Sequence, residues 1–166
     1  MPFETFLSTG FAKDGYFTVM RQDNKWNLVH KDVLEPISEK WFDSVKPFSN
    51  EYAAVENEGK WNYVGVSGDL VGKKWFDEVK DFGQGFGVMR NKKTWSYVGE
   101  DGTVHGKYTT ATSFLRGYAV VSIRKKYYVI NKEFEKVRGP FDYATNILTG
   151  NTVLTRDKNG QHVELL

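Results

Sequence analysis

Three groups of residues in this 166-residue chain carry side chains that could do chemistry. Gly83-Gln84-Gly85-Phe86-Gly87 has the composition of a loop that cradles phosphate through backbone amides. Arg124-Lys125-Lys126 lies near Arg116, Lys132, Lys136 and Arg138 and is followed at once by Tyr127 and Tyr128. Cations beside aromatic rings can hold phosphates and stacked bases. His30, His105 and His162, with the carboxylates Asp43, Asp77 and Asp142, hold the acid–base potential.

Each group has a plainer reading. A phosphate loop needs a helix behind it, so that helix amides face the anion. No helical pattern follows Gly87, and Gly85 aligns with Gly117 and Gly150 of a repeat. The histidines lack short ligand spacing, and cysteine is absent, so no metal or other cofactor is expected. No Ser/His/Asp order stands out, so no catalytic residues and no enzyme activity are expected. The aligned carboxylates are expected to bond turn amides. The basic cluster is the sharpest feature outside the repeat: residues 107–140 hold eight basic and two acidic residues, although lysines also keep hairpins soluble.

The elements that must position these residues come from an internal repeat. Trp41-Phe42-Asp43-Ser44-Val45-Lys46-Pro47-Phe48 returns as Trp75-Phe76-Asp77-Glu78-Val79-Lys80-Asp81-Phe82. Five units begin near Phe3, Phe42, Phe76, Tyr108 and Phe141. The first unit carries extra residues between Phe3 and Phe11. Apolar runs are short, rich in Val, Tyr, Phe and Trp, and broken by Gly, Asn and Asp, which reads as short strands joined by tight turns. Asn159-Gly160 is the strongest hairpin signal. Strand alternation places Trp61 with Tyr63 on one face, and Trp26, Trp95 and Tyr127 repeat that position. These four are read as structural repeat aromatics that fill the space between units. Trp41 and Trp75 are either core or anchors on a binding face; their counterpart in the fifth unit is Pro140.

The pattern Phe-x3-[Tyr/Phe]-[Ala/Gly]-x-[Val/Met], then a turn and Lys-Trp-x-Tyr-Val, resembles the WG repeat of many bacterial proteins. It runs through nearly the whole chain. The glycine that usually follows the tryptophan is replaced by Asn27, Asn62, Ser96 and Tyr128, the mark of a divergent member. The resemblance implies repeated β-structure and an interaction role, and no reaction.

The expected fold is therefore all-β, a single repeat domain over residues 1–166. Closure into a small β-propeller is preferred over an open array of hairpins, because closure removes strand edges. The expected function is a non-catalytic scaffold that binds another protein. The alternative is a β-propeller that holds a small anionic or nucleotide-like ligand. Candidate binding residues are Arg116, Arg124, Lys125, Lys126, Trp41 and Trp75; nucleic acid is disfavoured as a partner. No apolar run approaches the roughly 20 residues of a membrane helix, and Met1-Pro2-Phe3-Glu4 does not begin a signal peptide. A cytoplasmic location with no membrane partner is the resulting expectation.

Overall fold

Hydrophobic runs of Val, Tyr and Phe, cut by residues that tolerate positive φ, fold into antiparallel hairpins. Asp14-Gly15, Glu58-Gly59 and Arg124-Lys125 all take positive φ, as two-residue hairpin loops require. The computed structural model describes residues 6–166, apart from the side chains of Ser8, Phe11 and Ala12. The expected unit start at Phe3, and Glu4, aligned with Asp43, lie outside the described residues.

The chain divides into two units, Met1–Phe82 and Gly83–Leu166. The first holds β1 (Ser8–Lys13), β2 (Tyr16–Met20) and β3 (Trp26–His30) as one sheet. Its second sheet is β4 (Ser44–Val45), β5 (Tyr52–Asn57) and β6 (Lys60–Gly65), followed by the two-residue strand β7 (Glu78–Val79). The second unit contains β8 (Phe86–Asn91), β9 (Thr94–Gly99) and β10 (Val104–Tyr108) in the third sheet. The fourth is β11 (Thr110–Ala111), β12 (Tyr118–Ile123), β13 (Lys126–Asn131) and β14 (Lys136–Phe141). The fifth is β15 (Tyr143–Ala144), β16 (Thr152–Asp157) and β17 (Gly160–Leu165). The all-β expectation holds: the described residues form five small antiparallel sheets and no helix, and no sheet closes on itself.

Successive repeats are stitched by backbone. Phe42 exchanges two hydrogen bonds with Trp26, and Phe76 does the same with Trp61. Tyr108 faces Trp95, and Phe141 faces Tyr127, in the same register. The aromatic that opens each later repeat thus completes the edge of the sheet before it. One residue later the chain joins its own sheet, as Asp43 N–H donates to the Glu56 carbonyl.

Within each unit a sheet packs its forward face on the next repeat and has a rear face opposite. The paired residues Thr18–Leu28, Ala54–Tyr63, Val88–Tyr97, Val120–Val129 and Leu154–Val163 mark the centre of the forward face. In the first unit Leu28 packs on Phe42, Phe48, Ala53, Val55 and Val64. In the second unit Val88 and Tyr97 pack on Phe114, Ala119, Val121 and Ile130. Val120 and Val129 pack on Ala144, Ile147 and Val153.

Two details differ from the sequence reading. The last hairpin forms, but Asp157 pairs with Gly160, so its loop is Lys158-Asn159 and Gly160 opens β17. The Asp157 carboxylate accepts the Asn159 N–H at 2.7 Å, which holds the loop one residue earlier. The repeat aromatics Trp26, Trp61, Trp95 and Tyr127 are half-buried. The enclosed positions are two residues on, where Leu28, Tyr63, Tyr97 and Val129 are at most 1% exposed. Trp61 and its counterparts sit beside the hairpin turn, whereas the residue two places later lies mid-strand between two sheets.

Candidate binding cleft

Most of the polar side chains singled out by sequence are engaged within the repeat framework. The Asp43 carboxylate takes the Lys25 ammonium and the Glu58 N–H, the latter at 2.7 Å. The Lys25 hydrogen bond, then the Glu58 amide, hold its carboxyl below the usual aspartate range. Asp77 takes Lys60, and Asp142 takes Lys126. The turn-amide role expected for these carboxylates is present at Asp43, and a lysine from the preceding repeat is added at all three. Where the third repeat has Thr94 in place of that lysine, Thr109 stands in place of the aspartate.

The residues after the tryptophans also have structural work. Asn27 is fully buried, and its Nδ2 donates to the Ser38 and Lys40 carbonyls at 2.8 and 3.0 Å. Ser96 Oγ donates to the Gly106 carbonyl at 2.8 Å. Asn62 is equally buried, with no partner at Nδ2. The glycine-rich stretch is a repeat turn that leads into β8, with Gln84 and Gly85 at positive φ. Among the described residues no group of three or more His, Cys, Asp or Glu could hold a metal.

The basic residues do not converge. Arg124 and Lys125 form the β12–β13 loop and are exposed, while Lys126 is held by Asp142. Arg116 lies in the turn at the opposite end of the six-residue β12, eight residues before Arg124, or about 20 Å away along the strand. Lys136 Nζ rests 4.1 Å from the centre of the Tyr128 ring. Tyr127 packs against the core of the fourth and fifth sheets and lies 5.7 Å from Tyr143. Trp41 is capped by the Arg21 guanidinium at 4.6 Å, and Trp75 packs on the core of the first unit. Both indoles are half-buried.

One concave site lies in the first unit, where the first repeat departs from the others. Tyr16, which opens β2, pairs with His30 at the end of β3. The residue opposite the corresponding ring is Gly65 in the second sheet and Gly99 in the third. A Cβ on Gly65 would lie 3.4 Å from the Tyr52 ring, so glycine there lets the ring lie across the strand. In the first sheet an imidazole fills that place, edge-on to Tyr16 at 4.7 Å, and Tyr16 leans on Phe48 at 4.5 Å. The Asp32 N–H donates to His30 Nδ1 at 3.3 Å.

Tyr16, His30 and Val66 are common to two adjoining lobes of this cleft. One lobe, about 310 Å³, is completed by Val33, Glu35, Pro36 and Ile37. The other, about 570 Å³, is completed by Lys13, Asp14, Phe48, Asn50 and Glu51. These volumes lie in the range of ligand clefts. Val33 and Val66 stand 62% and 43% exposed at the mouth. Three carboxylates against one lysine make the lining acidic. Sequence reasoning weighed His30 only as a metal ligand or a catalytic histidine. Its usable signal was the alignment of His30 with Gly65 and Gly99; nothing local marked Tyr16 or Val66.

Residues 35–61 match the family described as WG containing repeat. The chain carries a WG repeat. The matched stretch covers the Trp41–Phe48 segment, β5 and the start of β6, so it includes Phe42, one of the two residues that stitch the first two sheets. No curated protein matches this chain. Solved structures similar to it include KlHsv2 with loop 6CD replaced by a Gly-Ser linker, at 15% identity and TM-score 0.47, covering 95% of this chain and 63% of that one. BamB from Moraxella catarrhalis is similar at 9% identity and TM-score 0.46, covering 93% and 55%. The WD40 β-propeller domain of Doa1 is similar at 13% identity and TM-score 0.41, covering 97% and 69%. The chain spans less than two thirds of the length of the first two of these.

Proposed function

We propose that this WG-repeat chain is a non-catalytic scaffold that binds another protein through the cleft around Tyr16 and His30. The observation that carries the reading is the chemistry of the lining. Tyr16, Phe48, Val33, Val66 and Ile37 offer an apolar floor and mouth, while Asp14, Glu35 and Glu51 outnumber Lys13. Such a site favours an apolar side chain flanked by lysine or arginine. It repels the small anion of the competing reading. The basic hairpin offers that anion two exposed cations on a convex loop.

Selection of displayed random peptides on the immobilised protein tests the binding role. The expected winners carry an apolar residue next to basic ones, and Val66→Lys, which puts a cation at the mouth, abolishes their binding. Peptides that bind Val66→Lys as well as the wild type, or a nucleotide that raises the melting temperature while no peptide is selected, would overturn the proposal.

A further inference from the structure

We infer that the hairpin loops of the second unit form one basic ridge that binds an extended acidic polypeptide segment. The loops are Lys92-Lys93 between β8 and β9, Arg124-Lys125 between β12 and β13, and Lys158-Asn159 between β16 and β17. All six residues are exposed, and together they hold five cations and no carboxylate. The same loop of the second repeat, in the first unit, is Glu58-Gly59. The positive charge is therefore a feature of the second unit and not of the repeat pattern.

Backbone stitching places the three loops along one edge. Trp95, two residues past the first loop, pairs with Tyr108. The next residue, Thr109, donates its N–H at 2.8 Å to the carbonyl of Ser122, two residues before the second loop. The step then repeats. Tyr127, two residues past the second loop, pairs with Phe141. The Asp142 N–H donates at 2.7 Å to the carbonyl of Arg156, two residues before the third loop. Each loop thus lies about two strand spacings, on the order of 10 Å, from the next.

The spacing and the gaps select the partner. A chain in the polyproline II conformation has three residues per turn and rises about 3.1 Å per residue, so every third side chain points the same way, about 9 Å apart. Acidic residues at that spacing meet successive loops. Beside the second and third loops stand two carboxylates: Asp142, held by Lys126, and Asp157, which accepts the Asn159 N–H at 2.7 Å. A nucleic acid backbone, charged at every step, would lie against them, whereas a peptide can place uncharged residues there. No loop residue is aromatic, so the bases of a single strand have nothing to stack on at the loops. The ridge goes beyond the first-unit cleft, whose acidic lining takes a partner of the opposite charge.

Fluorescence anisotropy of the full chain with a labelled synthetic peptide, glutamate at every third position and serine or proline between, tests the inference. The wild type is expected to bind at low salt and to lose affinity as salt is added. Arg124→Asn with Lys125→Gly suits the positive φ of both residues, so the hairpin is kept; it is expected to weaken binding roughly fivefold. Adding Lys158→Ser, Lys92→Asn and Lys93→Ser is expected to abolish it. Lys73→Ser with Lys74→Ser removes two exposed cations of the first unit and is expected to leave affinity unchanged. Absence of wild-type binding at low salt overturns the inference. So does an equal loss in the Lys73 and Lys74 variant, or tighter binding of a DNA oligonucleotide of matched charge, single- or double-stranded.

Discussion

Lys25, Lys60 and Lys126 each reach the aspartate that follows the opening aromatic of the next repeat. The pairing explains why a carboxylate recurs at this position from repeat to repeat. For Asp43 it has a pH consequence. Because the folded carboxyl sits below the ordinary aspartate value of 3.8, its contribution to stability is present above that value. It is lost as pH falls through the depressed folded value. Asp43→Asn should therefore cost stability at neutral pH and nothing once the wild-type carboxyl is protonated. A carbon-detected NMR titration in which Asp43 behaves as an ordinary carboxylate would contradict the pairing. The third repeat offers the converse experiment. Thr94→Lys with Thr109→Asp should rebuild the pair and stabilise the chain by roughly 0.2–1 kcal/mol, the usual worth of an exposed ion pair. A double-mutant cycle with no coupling would show that the two positions do not meet.

At the scale of the element, one turn position discriminates between backbone strain and packing. Leu34 and Phe134 have φ of 60° and 64°, in the left-handed region; Phe134 stands at the turn position of Gly68 and Gly102, and Leu34 one residue later in a turn longer by one. Leu34 is 57% exposed, whereas the Phe134 ring lies 5.1 Å from Phe86 and stacks on His105 at 4.6 Å. Leu34→Gly should raise stability by roughly 0.5–1 kcal/mol, since relief of the left-handed conformation exceeds the entropy that glycine adds to the unfolded chain. Phe134→Gly should lower it by about 2–3 kcal/mol, because the lost ring packing dominates. Chemical denaturation of both variants reads the two signs, and equal signs would refute the distinction.

The elements themselves were legible in the sequence. The central hairpins of the second and third repeats turn at Glu58-Gly59 and Lys92-Lys93, in the breaks between short apolar runs that mark the strands in the sequence. Periodicity also gave the face shared by Trp61 and Tyr63. It could not say which of the two lies deeper, since that depends on distance from the hairpin turn and on the next sheet. The basic cluster is divided for a related reason: Arg116 and Arg124 are close in sequence but lie at opposite ends of one strand. The cleft was hidden because its walls come from β2, β3 and the loops around Phe48 and Val66, and these meet only after the first two sheets stack.

At the scale of the molecule, charge and exposure are distributed unevenly although the chain carries a net charge of only +2. The first unit offers a cleft with an acidic lining, and the second carries the exposed basic hairpin loops. Among the described residues no helix is long and apolar enough to cross a membrane. The account stands on the first-unit cleft being the place where a partner protein binds. The most direct measurement is an amide NMR titration of the whole chain with a synthetic peptide that carries one large apolar residue between two arginines. Shift changes confined to Tyr16, His30, Val33, Asn50 and Val66, which weaken as salt is added, are the predicted result. Changes centred instead on Arg124 and Lys125, or none anywhere at saturating peptide, would contradict the account.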